Sequence, residues 1–176
     1  MQQFTKKEIK LSTLRLLQSK PLDNIKVKDI IDDIGISRNT FYYHYHDIYD
    51  VLKDIFDETM LEITKNSDEN FDWEAVFKKM SENALAKKSI ITNIFKSKYS
   101  DNIKSYIANA VGDTICSKIK AKYDAEGKKI DDYDLKIMST FYKHALTGTF
   151  FEWVHNGMRV PPKEFFEKLS NVTRKV

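Results

Sequence analysis

Residues Gly35–Leu52, GISRNTFYYHYHDIYDVL, decide how the rest of the chain is read. Just upstream, Val27, Ile30, Ile31 and Ile34 recur at helical spacing, which predicts a short helix over Val27–Ile34. Gly35 then opens a turn into a second short helix, and two short helices joined by a tight turn with glycine form a helix-turn-helix. Ser37 is a good N-cap, since its hydroxyl can accept from a backbone N–H one turn on. The first turn of the second helix therefore carries Arg38, Asn39 and Thr40. Residues at that place reach base edges when such a helix lies in the major groove. Arg38 suits a guanine edge and Asn39 an adenine edge. The run Tyr42-Tyr43-His44-Tyr45 holds more aromatic and polar surface than a miniature core can use. The stretch implies double-stranded DNA as a partner.

The same residues carry a family resemblance. Val27-Lys28-Asp29-Ile30, Gly35-Ile36-Ser37 and Thr40-Phe41-Tyr42-Tyr43-His44-Tyr45 resemble the N-terminal signature of TetR/AcrR-type transcriptional regulators, over roughly residues 5–55. Further on the likeness is one of plan: all-helical, with a late Trp153 followed by Gly157. The resemblance implies that Thr40, Tyr42 and His44 contact phosphates, that Tyr43 touches a base, and that Phe41 and Tyr45 pack inward. Two positions depart from the family pattern. Ile48 stands where a phosphate-binding Lys is usual, and Lys26 where a Ser or Thr N-cap is usual. Lys26, Lys28 and Tyr49 are the residues placed to compensate with phosphate contacts of their own.

Charge distribution agrees with this reading. Residues 1–46 hold eight Lys/Arg against five Asp/Glu, whereas residues 47–176 hold 21 of each sign. All of the net +3 therefore falls on the helices assigned to DNA, where counterion release from phosphates rewards it. An apolar content of 41% suits a globular core, and one cysteine, Cys116, excludes an intrachain disulfide and fits a reducing cytoplasm. No run approaches the roughly 18 apolar residues of a membrane span, and MQQFTKKEIK lacks the apolar region of a signal peptide. The expected location is cytoplasmic.

Five glycines and three prolines among 176 residues favour long helices. The periodicity predicts an all-α chain of about nine helices. A first helix runs over 5–19 with Ile9, Ser12, Thr13, Leu16 and Leu17 inward. Asp47 caps a longer connector helix with an inward stripe of Ile48, Val51, Leu52, Ile55, Thr59 and Ile63. After a polar loop at 65–70 come an Asp72-capped helix to about 87, a short one over 89–98, and long ones over 101–125 and 131–156. Gly157 closes the last of these, and Pro161-Pro162 opens a final helix to about Arg174. The predicted organisation is a three-helix helix-turn-helix domain, 1–47, followed by a helical dimerisation and effector bundle, 48–176.

Within the bundle, Phe77, Phe95, Tyr106, Phe141 and His144 are candidates for the wall of a small-molecule effector cavity, with plain core as the competing reading of each. Thr147-Gly148-Thr149 allows close approach of another helix, and large aromatics follow at once. In the family resembled, the last two helices pair with their symmetry mates, so Gly148, Phe151 and Trp153 are the expected homodimer contacts. No metal or other cofactor is expected: His44 and His46 point to different sides of a helix, and His144, His155 and Cys116 lack convergent spacing. No catalytic residue is expected either, because the chain lacks a phosphate loop, a carboxylate–histidine motif and a cysteine with a base nearby. The function implied is a regulator, most simply a repressor, that binds a pseudo-palindromic operator as a homodimer and is released by an effector. The competing function is a helical adaptor acting through a protein partner.

Overall fold

Helical periodicity without strand alternation yields, among the described residues, nine α-helices and one 3-10 turn. The computed structural model describes residues 2–64 and 73–173. The helices are α1 (Gln2–Ser19), α2 (Val27–Ile34), α3 (Arg38–His44), α4 (Ile48–Thr64), α5 (Trp73–Ala86), α6 (Lys88–Phe95), α7 (Ser100–Ala125), α8 (Asp132–His155) and α9 (Pro162–Thr173), with the 3-10 turn at Leu22–Asn24. The loop at 65–70, the Asp72 cap and the end at Arg174 lie outside the described residues. No described helix is long and apolar enough to cross a membrane.

The chain forms two compact units: Met1–Met60 with Lys87–Ile103, and Leu61–Ala86 with Lys104–Val176. This differs from a boundary at 47/48 in two ways, and polar ties account for both. Lys10 on α1 pairs with Asp54 and Glu58 on α4, which holds that helix in the first unit well beyond its first turn. Asn93 on α6 donates to the Leu17 carbonyl at 2.8 Å, and the Lys98 N–H donates to the Asp23 carboxylate at 3.2 Å. These bonds fasten a distant segment to the first unit.

In that unit, Ile9, Leu17, Ile30, Phe41 and Val51 are wholly buried. The start of α2 is held from one side only. The Lys26 ammonium cannot accept a hydrogen bond. Asp29 instead accepts from the Lys26 N–H at 2.8 Å, while its own N–H donates to the Lys26 carbonyl at 2.9 Å. The helix ends at Gly35, φ 69° and ψ 36°, and the Ile36 N–H closes onto the Ile31 carbonyl at 3.1 Å. No heavy atom lies within 4 Å of where a Gly35 Cβ would stand, so conformation rather than room requires glycine. Asp47 accepts from the Asp50 N–H at 2.9 Å and starts α4 as an N-cap does.

The second unit is built around aromatics. Phe77 on α5 meets Phe150 on α8 and Phe165 on α9, and the Trp153 indole stacks on Phe165 at 5.5 Å. Ile107, Val111, Ile115 and Ile119 bury one face of α7 at four-residue spacing. Gly112 lets the Lys143 stem of α8 lie close, since a Cβ there would come within 2.7 Å of Lys143 Cδ. Asp131 caps α8 by accepting from the N–H groups of Tyr133 and Asp134. Gly157, φ 78°, and the buried Met158, φ 53°, end it, with the Met158 N–H returning to the Trp153 carbonyl at 3.0 Å.

Replacing Gly35 with Ala should lower stability by about 1–2 kcal/mol, the cost of a Cβ in the left-handed region. Gly35→Asn should lose less, because Asn visits that region readily. Urea denaturation of the two variants beside the native chain measures this, and equal stabilities would mean the turn relaxes to another conformation.

Candidate nucleic-acid interface

The second helix of the pair, α3, is only seven residues long. Its start is organised by Ser37, whose Oγ accepts from the Thr40 N–H at 3.0 Å and lies 2.8 Å from the Thr40 hydroxyl. Its inner face is Phe41, wholly buried, followed by the buried Tyr45. The outer face carries Arg38 and Asn39, both exposed, with Tyr42 51% and Tyr43 69% exposed. The Tyr43 ring stands edge-on to His44 at 5.0 Å, and Tyr42 edge-on to Phe41 at 5.5 Å. Arg38, Asn39, Tyr42 and Tyr43 thus share one solvent-facing surface at the N-terminal end of a firmly seated helix.

Beneath it lies a polar cluster that the sequence reading missed. The Tyr45 hydroxyl donates to Asp54 at 2.5 Å, with the ammonium groups of Lys10 and Lys6 at 3.5 and 3.7 Å from the same carboxylate. Lys6 also lies 5.2 Å from the Tyr45 ring centroid. Burial pushes the Asp54 carboxyl upward, but the Tyr45 hydroxyl and the two lysines outweigh it and hold the group below its ordinary value. Burial and the Asp54 carboxylate together push the Tyr45 phenol far up, so it remains a donor.

The compensating trio is placed unequally. Lys26 and Lys28 are exposed beside the start of α2. Tyr49 is half-buried, and its hydroxyl already donates to the Asn102 carbonyl at 3.1 Å, with Lys53 over its ring at 4.8 Å.

The family model described as "Transcriptional regulator C-terminal region", TetR_C_8, matches residues 71–175. The chain belongs to the TetR family of transcriptional regulators. Solved structures of similar fold include the dihydroxyacetone kinase operon activator DhaS, 17% identical with a TM-score of 0.71 over 96% of this chain and 93% of that one. A TetR-family regulator from Syntrophomonas wolfei str. Goettingen is 15% identical, TM-score 0.66, over 99% and 95%. NalD, the secondary repressor of the MexAB-OprM multidrug efflux pump in Pseudomonas aeruginosa, is 14% identical, TM-score 0.64, over 99% and 96%. At these identities the likeness is one of fold. None of the curated proteins matches the chain in sequence.

In this TetR-family regulator the five effector candidates differ in burial. Phe77 sits in the aromatic core of the second unit, whereas Phe141 is 67% exposed and His144 is exposed on α8. Tyr106 is half-buried, and Phe95 belongs to the first unit. Phe77 packs against Phe150 and Phe165 here, as a core residue does.

The dimer candidates also separate. Trp153 is 5% exposed, and its indole N–H donates to the Val160 carbonyl at 2.8 Å, so its large apolar surface is used within one chain. Phe151 is half-buried, edge-on to Phe150 at 5.9 Å. Gly148 is exposed and lines an open cleft of about 820 Å³ with Thr149, Glu152, Asn156, Arg159 and Phe165. Toward the start of α8 a surface stripe appears that the sequence reading assigned elsewhere or passed over: Tyr133, 71% exposed, Ile137, 50%, and Phe141, one above another at i, i+4 spacing.

Asp54→Asn should destabilise the chain by about 1–3 kcal/mol at neutral pH, because it removes a charged acceptor from the Tyr45 hydroxyl and two ammonium groups. A depressed folded-state value means the stabilisation is full above the unfolded carboxyl value, near about 4, and is lost as pH falls toward the folded value. The native chain should therefore lose more stability than Asp54→Asn as pH drops through that window. Urea midpoints measured against pH give both curves, and parallel curves would remove Asp54 as a contributor.

Proposed function

We propose that this TetR-family regulator binds a pseudo-palindromic operator as a homodimer, with α3 in the major groove, and represses by occupying the site. The observation that carries the reading is the outer face of α3. Two half-exposed tyrosines, an arginine and an asparagine stand on a helix too short to persist alone, and Phe41 and Tyr45 hold that face in place. Arg38 and Asn39 read base edges, Tyr43 touches a base, and Ser37, Thr40, Tyr42, His44, Lys26 and Lys28 position the backbone. Tyr49 acts by holding the start of α4. No effector is assigned to the set Phe77, Phe95, Tyr106, Phe141 and His144.

The dimer contact in this proposal is the α8 stripe of Tyr133, Ile137 and Phe141, continuing past Gly148 toward α9. Three large apolar side chains aligned in solvent on one helix cost free energy that a second copy recovers by covering them. An isologous contact across a two-fold axis matches a two-fold operator.

Tyr42→Ala and His44→Ala should weaken binding to every operator variant by similar factors. Arg38→Ala should relax discrimination at one base position by about 1–3 kcal/mol. Titrations across single-base variants of a duplex selected from genomic fragments separate the two patterns. An unchanged preference profile for Arg38→Ala would remove it from base reading, and absence of any retained duplex would favour an adaptor acting through protein.

Gly148→Leu isolates the dimer. Within one chain nothing stands within 4 Å of a Cβ at this position, so the substitution has room at its base, and a urea midpoint of the variant at dilute, monomeric concentration separates folding from dimerisation. Overpacking a close helix crossing costs about 1–3 kcal/mol, roughly a 5- to 150-fold weaker dimer. Sedimentation at micromolar concentration should show a dimer for the native chain and partial dissociation for the variant, with Phe141→Glu more severe. A native monomer would end both the dimer and the palindrome.

A further inference from the structure

Residues 87–103 belong by contact to the first unit, yet the DNA-binding reading makes no use of their charge. They carry Lys87, Lys88, Lys96 and Lys98 against Asp101 alone. Residues 1–60 hold nine Lys/Arg against ten Asp/Glu, so this segment is what makes the unit basic, at thirteen against eleven.

The position of Lys98 gives that charge a role. The turn between α6 and α7 is fixed by its backbone: the Lys98 N–H donates to both Asp23 carboxylate oxygens, at 3.3 and 3.2 Å. The Asn102 carbonyl beyond it accepts from Tyr49. The side chain is left exposed, with Nζ 5.1 Å from the Tyr99 ring centroid. Lys98 lines a concavity of about 320 Å³ together with Lys26, Val27, Ile48 and Tyr49, which places it beside the starts of α2 and α4. Asp23 and Asp47 line the same concavity. Both spend their carboxylates on backbone N–H groups, Asp23 on Lys98 and Asp47 on Asp50, and neither pairs with Lys98 Nζ among the described residues. A cation on a fixed backbone, beside the starts of two helices whose dipoles also favour anions, is an electrostatic match for a duplex backbone.

We propose that Lys98 is a DNA phosphate contact supplied from outside the helix-turn-helix, acting beside Lys26 at the starts of α2 and α4. The inference rests on the DNA-binding reading above and adds a contact from a segment remote in sequence.

The test is the salt dependence of binding to the duplex recovered from genomic fragments, for the native chain, Lys98→Gln, Lys98→Arg and Lys120→Gln. Lys120 is exposed on α7 in the second unit and controls for net charge alone. Loss of one phosphate contact should flatten the slope of log affinity against log salt by about 0.9. The deficit of Lys98→Gln should then shrink about 3.5-fold over a fourfold rise in salt, equally for every base variant. Lys98→Arg should restore the native slope and Lys120→Gln should leave it unchanged. Native slope in Lys98→Gln, or equal flattening in Lys120→Gln, overturns the Lys98 contact while DNA binding stands. A native chain that binds no duplex overturns both.

Discussion

The packing of Phe41 and Tyr45 beneath α3 is the constraint on which the rest depends. A seven-residue helix has too few internal hydrogen bonds to offset its nucleation, so its existence and its orientation are set from outside. Phe41 supplies apolar burial and Tyr45 supplies direction, through a hydrogen bond to Asp54 that two lysines of α1 reinforce. With the inner face fixed, the outer residues have defined positions, which the proposed base reading requires. The outer surface of α3 is therefore a property of α1 and α4 as much as of α3.

Much of this was legible in the sequence because it is local. Helix spacing over Val27–Ile34, the Gly35 turn, the Ser37 cap and the Asp47 cap all depend on residues within one turn of each other, and each stands where the pattern placed it. The family likeness read from residues 5–55 and the family match over 71–175 come from different parts of the chain and agree. The Lys26 departure also has a local resolution, since Asp29 reaches back to the N–H that starts the helix.

What the sequence did not disclose depends on distance along the chain. Tyr45 meets Asp54 and Lys10 across three helices, and no periodicity announces that three charged or polar groups will share one carboxylate. Tyr49 donates to the carbonyl of Asn102, a residue 53 positions away that no local pattern pairs with it. On α8 the aromatic residues are dense on several sides, so period alone could not sort core from surface. Trp153 packs inward onto Phe165, and Phe141 is exposed. The spacing of Tyr133, Ile137 and Phe141 was the available signal for the outward stripe, and an exposed apolar row reads like a core row until its surroundings are known.

The first unit is discontinuous, and this imposes an order on its completion during synthesis. Its N-terminal helices leave the ribosome first, but the carbonyl of Leu17 and the carboxylate of Asp23 meet their partners only when Asn93 and Lys98 have been made. At translation rates of roughly 5–20 residues per second, the stretch from Met60 to Ile103 takes roughly 2–9 s to add. During that interval the end of α1 and the 3-10 turn after it lack these partners. A nascent chain therefore passes through a stage in which α1 to α4 are complete in sequence while the partners of Leu17 and Asp23, on α6 and in the turn after it, have still to be added.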